Sequence, residues 1–360
     1  MFALKPDFEQ VMDRYEAWWD AQVLDRPLVS MTFAKPAAER VPPPPAEVYA
    51  APHDHWMDTD RVVAQALAQV RNHVFYADAL PMVWPNLGPE VFSAMYGCPM
   101  DYVDDRTGWS EPILADWSPE SAAALRLDEH NLYFRKLLEM TDALLEIAQG
   151  QFIVGYTDLH PGGDAIAAFR DPQQLCLDVL EYPKEIKALC ERITDDFLRL
   201  YDLYHQKLSA AGMPSTSWLP ATCRGRYHIP SNDFSCMISD QLFADLFLPG
   251  LVRECSHMDR CIYHLDGPQA LRYLDTLLEL PQIHAIQWVA GAGHDHWADW
   301  VPVYRRIQAA GKGFSIGVPA AELDHLFAAL RPEGAWLTVS GIADQGSAQA
   351  ALKAISRWGI

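Results

Sequence analysis

The sequence predicts an α/β protein: a closed (β/α)8 TIM barrel carrying an N-terminal helical extension. Three observations lead there. The last third repeats a strand–loop–helix pattern four times, which requires a parallel sheet. Further buried-strand patterns stand upstream near residues 81, 152 and 216. The length of 360 residues, half of them hydrophobic, allows one large barrel or two ordinary domains; an open doubly wound sheet is the alternative architecture, and the count of seven or eight strands suits the closed barrel. The expected division is an extension over 1–80, comprising a helix and a Pro-rich arm, and a barrel over 81–360.

The elements follow in order. Residues 8–23 (FEQVMDRYEAWWDAQV) have helical apolar spacing with Trp18 and Trp19 on or near the buried face. A short β-like stretch, Pro27 to Phe33, precedes PAAERVPPPPAEVYAAP. The run Pro42 to Pro45 favours extended polyproline conformation, an arm wrapping over the body. Residues 59–76 return to helix. PMVW is a strand, the turn at Pro85–Gly88 follows, and 118–149 reads as one long helix. FIVGYTD (152–158) is a buried strand ending in LHPGGD. Helices are expected at 172–181 and 183–211, and SWLPAT is a weak strand. Ser239 suits an N-cap, and Pro249 should kink or split the helix near 240–258. The four clearest units are RCIYHLDG with helix 268–279, AIQWVAGAG with 297–310, GFSIGV with 319–330, and AWLTVSG with 346–357.

Charge excludes some functions. Lys plus Arg number 28 against 48 Asp plus Glu, a formal charge of −20. Such a chain is a poor partner for nucleic acid or an anionic membrane. Seven cysteines, widely spaced and without CxxC, read as reduced thiols. The N-terminus lacks a signal-peptide pattern, and no apolar run reaches membrane-spanning length, so a cytoplasmic protein is expected.

In a barrel the chemistry lies at the C-terminal strand ends. Those positions hold Trp84 and Asn86; Asp158, His160 and Asp164; Arg224, Arg226, His228, Asn232, Asp233 and Cys236; His264 and Asp266; Trp288, His294, Asp295 and His296; and Ser340. Each has a plainer reading. Asp158 and Asp164 fit helix caps or turns, and His160 fits a hydrogen-bonded loop histidine. His294 and His296 fit a solvated helix entrance. Trp84 and Trp288 fit either packing or the wall of a ligand pocket. His264 and Asp266 form the best pair. At i and i+2 on a strand they face the same side, where they can hold a divalent metal, act as acid and base, or simply bond to each other. P-loop, GxGxxG, GxSxG and HExxH motifs are absent.

RCIYHLDGPQALRYLDTLLELPQIHAIQWVAGAG resembles the C-terminal half of the uroporphyrinogen decarboxylase superfamily, in its uroporphyrinogen decarboxylase-like bacterial branch. EAWWDAQVLDRPLVSMTF, PMVWPNLGPEVFSAMYG, GYTDLHPGGDAIAAFRDPQQLCLDV and SNDFSCMIS extend the resemblance over nearly the whole chain. The resemblance implies a (β/α)8 barrel and one of two chemistries. These are cofactor-free decarboxylation of uroporphyrinogen acetates, or zinc-dependent methyl transfer between a corrinoid protein and an acceptor. Asn86 stands near the position where decarboxylases carry a pyrrole-binding Asp, and DRPLVSMTF replaces their Arg-rich segment. A neutral amide cannot stabilise a protonated pyrrole intermediate, which disfavours literal uroporphyrinogen decarboxylation. His264 matches the histidine of the methyltransferases' H-x-C zinc pair, with Asp266 in place of the thiolate and Ser340 in place of the second cysteine.

The leading expectation is therefore a methyltransferase-like enzyme acting with a corrinoid protein or on a methylated small molecule. His264 and Asp266 would hold zinc or another divalent metal or act as acid and base, and Asp158, His160, Asp233 or His294 could complete a metal site. In the same reading Asp158 and His160 serve catalysis, while Trp84, Asn86, Asp164, Arg224, Arg226, His228, Asp233 and Trp288 surround substrate. The alternatives are a metal-free decarboxylase clamping its carboxylate with Arg224 and Arg226, and a non-catalytic small-molecule-binding barrel. A homodimer is expected.

Overall fold

Eleven strands are present in a computed structural model that describes residues 2–42, 44–45, 48–104, 107–294 and 296–358. Pro43 of the proline run and Asp295 lie outside the described residues. In chain order the strands are β1 (Leu28–Ala34), β2 (His73–Ala77), β3 (Met82–Val83), β4 (Met100–Tyr102), β5 (Gly108–Ser110), β6 (Ile153–Val154), β7 (Tyr227–His228), β8 (Arg260–Asp266), β9 (Ala285–Val289), β10 (Gly313–Pro319) and β11 (Ala335–Ser340). Helices intervene, giving a mixed α/β architecture around a mostly parallel sheet. Seven strands run β2-β1-β11-β10-β9-β8-β7, parallel except for the antiparallel β1–β2 pair. β3 and β6 form a separate parallel pair, and β4 and β5 a small antiparallel one.

The ladders among the described residues do not join into a ring. The reason is local. β2 pairs along β1 from Ser30↔Ala77 to Ala34↔His73, on the edge that β3 would need. Asp78, fully buried, then accepts a bond from Val29 N at 2.9 Å and fixes that corner.

The first 80 residues are not an outer cover. β1 pairs in parallel with β11, Leu28 opposite Trp336, so the extension contributes to the sheet itself. The helix Phe8–Trp19 buries Phe8, Val11, Met12, Tyr15, Trp18 and Trp19 beneath the sheet. The indole of Trp18 donates to Gly334 O at 2.8 Å and that of Trp19 to Thr222 O at 2.9 Å. Gly334 just precedes β11, so this helix is the floor at the N-terminal strand ends. Gly313 permits that approach, since a Cβ there would sit 3.0 Å from the Trp18 ring.

Local signals fare well where side chains decide. Ser239 Oγ accepts from Leu242 N at 3.3 Å, and the helix splits into Asp240–Leu246 and Leu248–Ser256 around Pro249. The single helix expected over 118–149 is two, Pro119–Ala124 and Leu132–Ala148, because Asn131 caps the second with a bond from Tyr133 N. The seven cysteines are free. Among the described residues no helix is long and apolar enough to cross a membrane.

Candidate functional site

Strand alternation sets the site. His264 and Asp266 leave one face of β8, and Gln287, cross-strand from His264, leaves the same face of β9. The stretch after β7 crosses above them, tied by a bond from His264 N to Pro230 O at 2.9 Å. It delivers Asp233 so that ligand atoms of Asp233, His264 and Asp266 all lie within 4.8 Å of one another. Two carboxylates and an imidazole at this spacing can hold a metal ion.

Neighbouring groups orient these three. His264 Nδ1 lies 2.8 Å from Gln287 Oε1; an amide oxygen only accepts, so Nδ1 carries the proton and Nε2 keeps its lone pair. Burial lowers the His264 pKa below the usual histidine value, favouring that neutral ring. Trp218 packs edge-on to it at 5.4 Å. Arg272 donates to the carbonyls of Ser235, Cys236 and Ile238, and the Tyr273 hydroxyl donates to Ser235 O and Ile238 O. These two residues fasten the turn Asp233–Met237 to the segment after β8.

A second layer comes from the loop after β6. His160 Nε2 meets Asp158 Oδ1 at 2.9 Å, and its Nδ1 meets Ser231 Oγ at 2.8 Å. The Ser231 hydroxyl donates onward to Asp164 at 3.0 Å, while the other Asp164 oxygen accepts from Phe234 N at 2.9 Å. Burial disfavours the charged imidazole of His160, but Asp158, Asp164 and Asp233 outweigh it and raise its pKa to about 9. Asp233 reaches solvent, yet surrounding protein strips part of its hydration. That loss and the charge of Asp164 push its pKa up to about 7, while His160 opposes the shift.

Two cavities flank the cluster. One of 700 Å³ is bordered by His160, Asp164, Asp233 and Phe234. The other, 470 Å³, is bordered by Trp56, Trp84, Asn86 and Trp218. Trp84 and Asn86 thus line a hollow that Trp218 separates from His264, and the Asn86 oxygen also caps its own turn through Gly88 N at 2.8 Å.

No protein-family model and no curated protein sequence matches the chain. Among solved structures it is similar to a methyltransferase from Methanosarcina mazei, with a TM-score of 0.58, 10% identity, and coverage of 98% of each chain. At that identity the likeness concerns the fold.

Four expected substrate residues stand elsewhere. Arg224 and Arg226 precede β7 and therefore sit at the opposite end of the sheet. Arg224 pairs with Asp13 at 2.6 Å and Glu9 at 3.3 Å on the floor helix, and Arg226 with Asp202 at 3.1 Å. His228 is buried, with Nε2 2.8 Å from Glu254 and Nδ1 3.1 Å from the Tyr156 hydroxyl, so both ring nitrogens are occupied by the interior. Trp288 shares its face with Leu265, away from Gln287 and His264, and packs on Trp300 at 4.9 Å. His294 and His296 are exposed, and His296 lies 3.5 Å from Glu322. Gln287, Ser231, Arg272, Tyr273 and Trp218 were not singled out in the sequence. The available signal for Gln287 was a lone amide in the apolar strand AIQWV.

Proposed function

We propose that this chain is a uroporphyrinogen decarboxylase-like enzyme of the methyltransferase branch, built on a (β/α)8 barrel that the β1–β2 pair leaves open. It acts with a corrinoid protein or on a methylated small molecule, and carries zinc or another divalent ion on Asp233, His264 and Asp266. The observation that carries the reading is the convergence of those three donors at strand ends. The backbone after β6 continues towards β7, with Tyr156 N donating to Thr216 O at 3.0 Å.

The donor set fits a hard or borderline divalent ion, and three protein ligands leave positions for substrate. When bound, such an ion supplies Lewis acidity towards a substrate heteroatom. The remaining tasks belong to the chain. Gln287 presents the Nε2 lone pair of His264. Asp158 holds His160 as a cation at neutral pH, next to the cavity where negative charge can develop. Arg272 and Tyr273 keep the Asp233 turn in place.

The decarboxylase alternative loses its carboxylate clamp, since Arg224 and Arg226 lie at the far end of the sheet. Metal analysis of the purified protein, combined with methylcobalamin turnover followed by absorbance, tests the proposal. One divalent ion per chain is expected, lost in His264→Ala and Asp233→Asn, with a metal-dependent cobalamin spectral change. A metal-free protein inert towards methylcobalamin with every acceptor would sink it and favour the non-catalytic barrel.

A further inference from the structure

The 470 Å³ cavity lies where the β1–β2 pair keeps β3 off the sheet, between Thr32 of β1 and Phe75 of β2 on one side and Met82 and Val83 of β3 on the other. That volume is in the range of small-molecule sites. One part of its wall is apolar and aromatic: Leu80, Met82, Val83 and Leu144 are buried there, and Trp84 and Trp218 are half-buried. The other part is polar and exposed, formed by Thr32, Gln65 and Gln69. The helix Thr59–Asn72 supplies this rim because residues spaced four apart share one of its faces.

The indoles decide the shape of a ligand. Trp56 also borders the cavity, but it is buried and stacked on Tyr102 at 4.9 Å, so its ring already serves the fold. Trp84 packs on no aromatic ring among the described residues, and Trp218 meets only His264, edge-to-face at 5.4 Å. Indole surface is thus left for a flat ring. Asn86 sets the polar requirement. Its oxygen accepts from Gly88 N at 2.8 Å, so the NH2 end of the amide is the one left to donate to a ligand. Among the described residues no carboxylate borders this cavity, which removes any pull on a cation. The one charged group on it, Arg61, donates to His55 O at 2.6 Å and to Gln65 Oε1 at 2.7 Å. A saccharide would bury hydroxyls against the leucine, methionine and valine wall without partners. A flat ring with apolar faces and an accepting edge avoids that cost.

We infer that this cavity binds an uncharged planar heterocycle bearing a ring carbonyl, lying against Trp84 and Trp218 with the carbonyl bonded to the Asn86 amide. The inference names the class of the small molecule in the methyltransferase reading, and rests on that reading only for what becomes of the ligand. Binding itself requires no metal.

Calorimetric titration of the full chain, as purified and after chelator treatment, tests it with four probes. Oxindole is the planar lactam, indole the same bicycle without the carbonyl, methyl glucoside a saccharide and N-methylquinolinium a flat cation. Oxindole is expected to bind saturably in both preparations, about 5- to 10-fold more tightly than indole, with methyl glucoside and N-methylquinolinium weaker than indole. Trp84→Leu should weaken oxindole by about 5-fold or more, whereas Trp84→Phe stays within about 3-fold of the native chain. Asn86→Asp keeps an oxygen for Gly88 N but removes the NH2 donor. It should weaken oxindole by about 10-fold without weakening indole or lowering the thermal midpoint. Equal affinity for oxindole and indole, tighter binding of the saccharide or the cation, oxindole binding indifferent to Trp84→Leu, or no oxindole binding overturns the inference. Oxindole binding by a chain inert in methyl transfer would overturn the proposed reaction and leave this inference standing. Metal-dependent transfer by a chain that binds none of the four probes would do the reverse.

Discussion

Replacing Gln287 by leucine removes one hydrogen bond while roughly preserving volume. In the native site the amide oxygen accepts from His264 Nδ1 at 2.8 Å, and that bond fixes both the tautomer and the ring plane. Leucine leaves Nδ1 without an acceptor in a partly buried position, so the proton can move to Nε2 and remove the lone pair needed by a metal. Loss of an outer hydrogen bond to a metal-binding histidine typically weakens metal affinity by about 10- to 100-fold. That corresponds to about 1.4–2.8 kcal/mol. The assay is zinc affinity by competition with a chromophoric chelator, with circular dichroism to verify the fold. Gln287→Glu, which retains an acceptor, should stay within a few-fold of the native affinity. Unchanged zinc affinity in Gln287→Leu, alongside loss of zinc in His264→Ala, would refute the claim that Gln287 orients His264.

Other perturbations probe the frame. Arg224→Ala should leave activity and any carboxylate affinity unchanged and cost at most about 1 kcal/mol in urea unfolding, because its ion pairs are exposed on the floor helix; a tenfold loss of substrate affinity would contradict the placement. Gly155→Ala puts a Cβ about 2.8 Å from the backbone oxygen of Thr216 and should destabilise by about 1–3 kcal/mol, read as a fall in thermal midpoint. His284 gives a pH test. Burial, with help from Arg260 and Lys312, lowers its pKa to about 4, and its Nδ1 accepts from Cys261 N at 3.2 Å. The unfolded chain therefore takes up the proton first, so stability is full above about pH 6.5 and falls as pH drops towards 4. The loss is about 2 kcal/mol once the partial exposure of the ring is allowed for. His284→Gln should flatten that slope, and an unchanged slope would point to other groups.

Fold class was legible wherever one periodicity dominated. RCIYHLDG, AIQWV, GFSIGV and AWLTVS are continuous apolar runs between helical patterns, and they became β8 to β11. The role of the first 80 residues was less legible, because a break in composition does not reveal what a strand pairs with. β1 lies some 300 residues from its partner β11, and Trp18 reaches Gly334 across a similar separation. Proline-rich punctuation separated these elements in sequence, while burial of two adjacent tryptophans drew the helix under the sheet. The strands β3, β6 and β7, with two residues each, carry too little pattern to announce their register.

At the site, the rule that i and i+2 share a strand face brought out His264 and Asp266. Applied one strand further, the same rule separates Gln287 from Trp288. Cross-strand register places Gln287 beside His264 and Trp288 beside Leu265, so the amide belongs to the site and the indole to the helix-covered side. The arginines mislead for a related reason: polarity marks a loop, but only the direction of the strand says which end the loop serves. Arg224 and Arg226 precede β7, whereas Ser231 and Asp233 follow it, and these few residues separate the two ends of the sheet. Charge follows that division. The floor pairs its arginines with Glu9, Asp13 and Asp202, while the His160 cavity gathers carboxylates with no arginine or lysine among its described lining residues. Carboxylates therefore outnumber cationic groups around this cavity, whose His160 is paired with Asp158. That division becomes visible only after the arginines are assigned to the other end of the sheet.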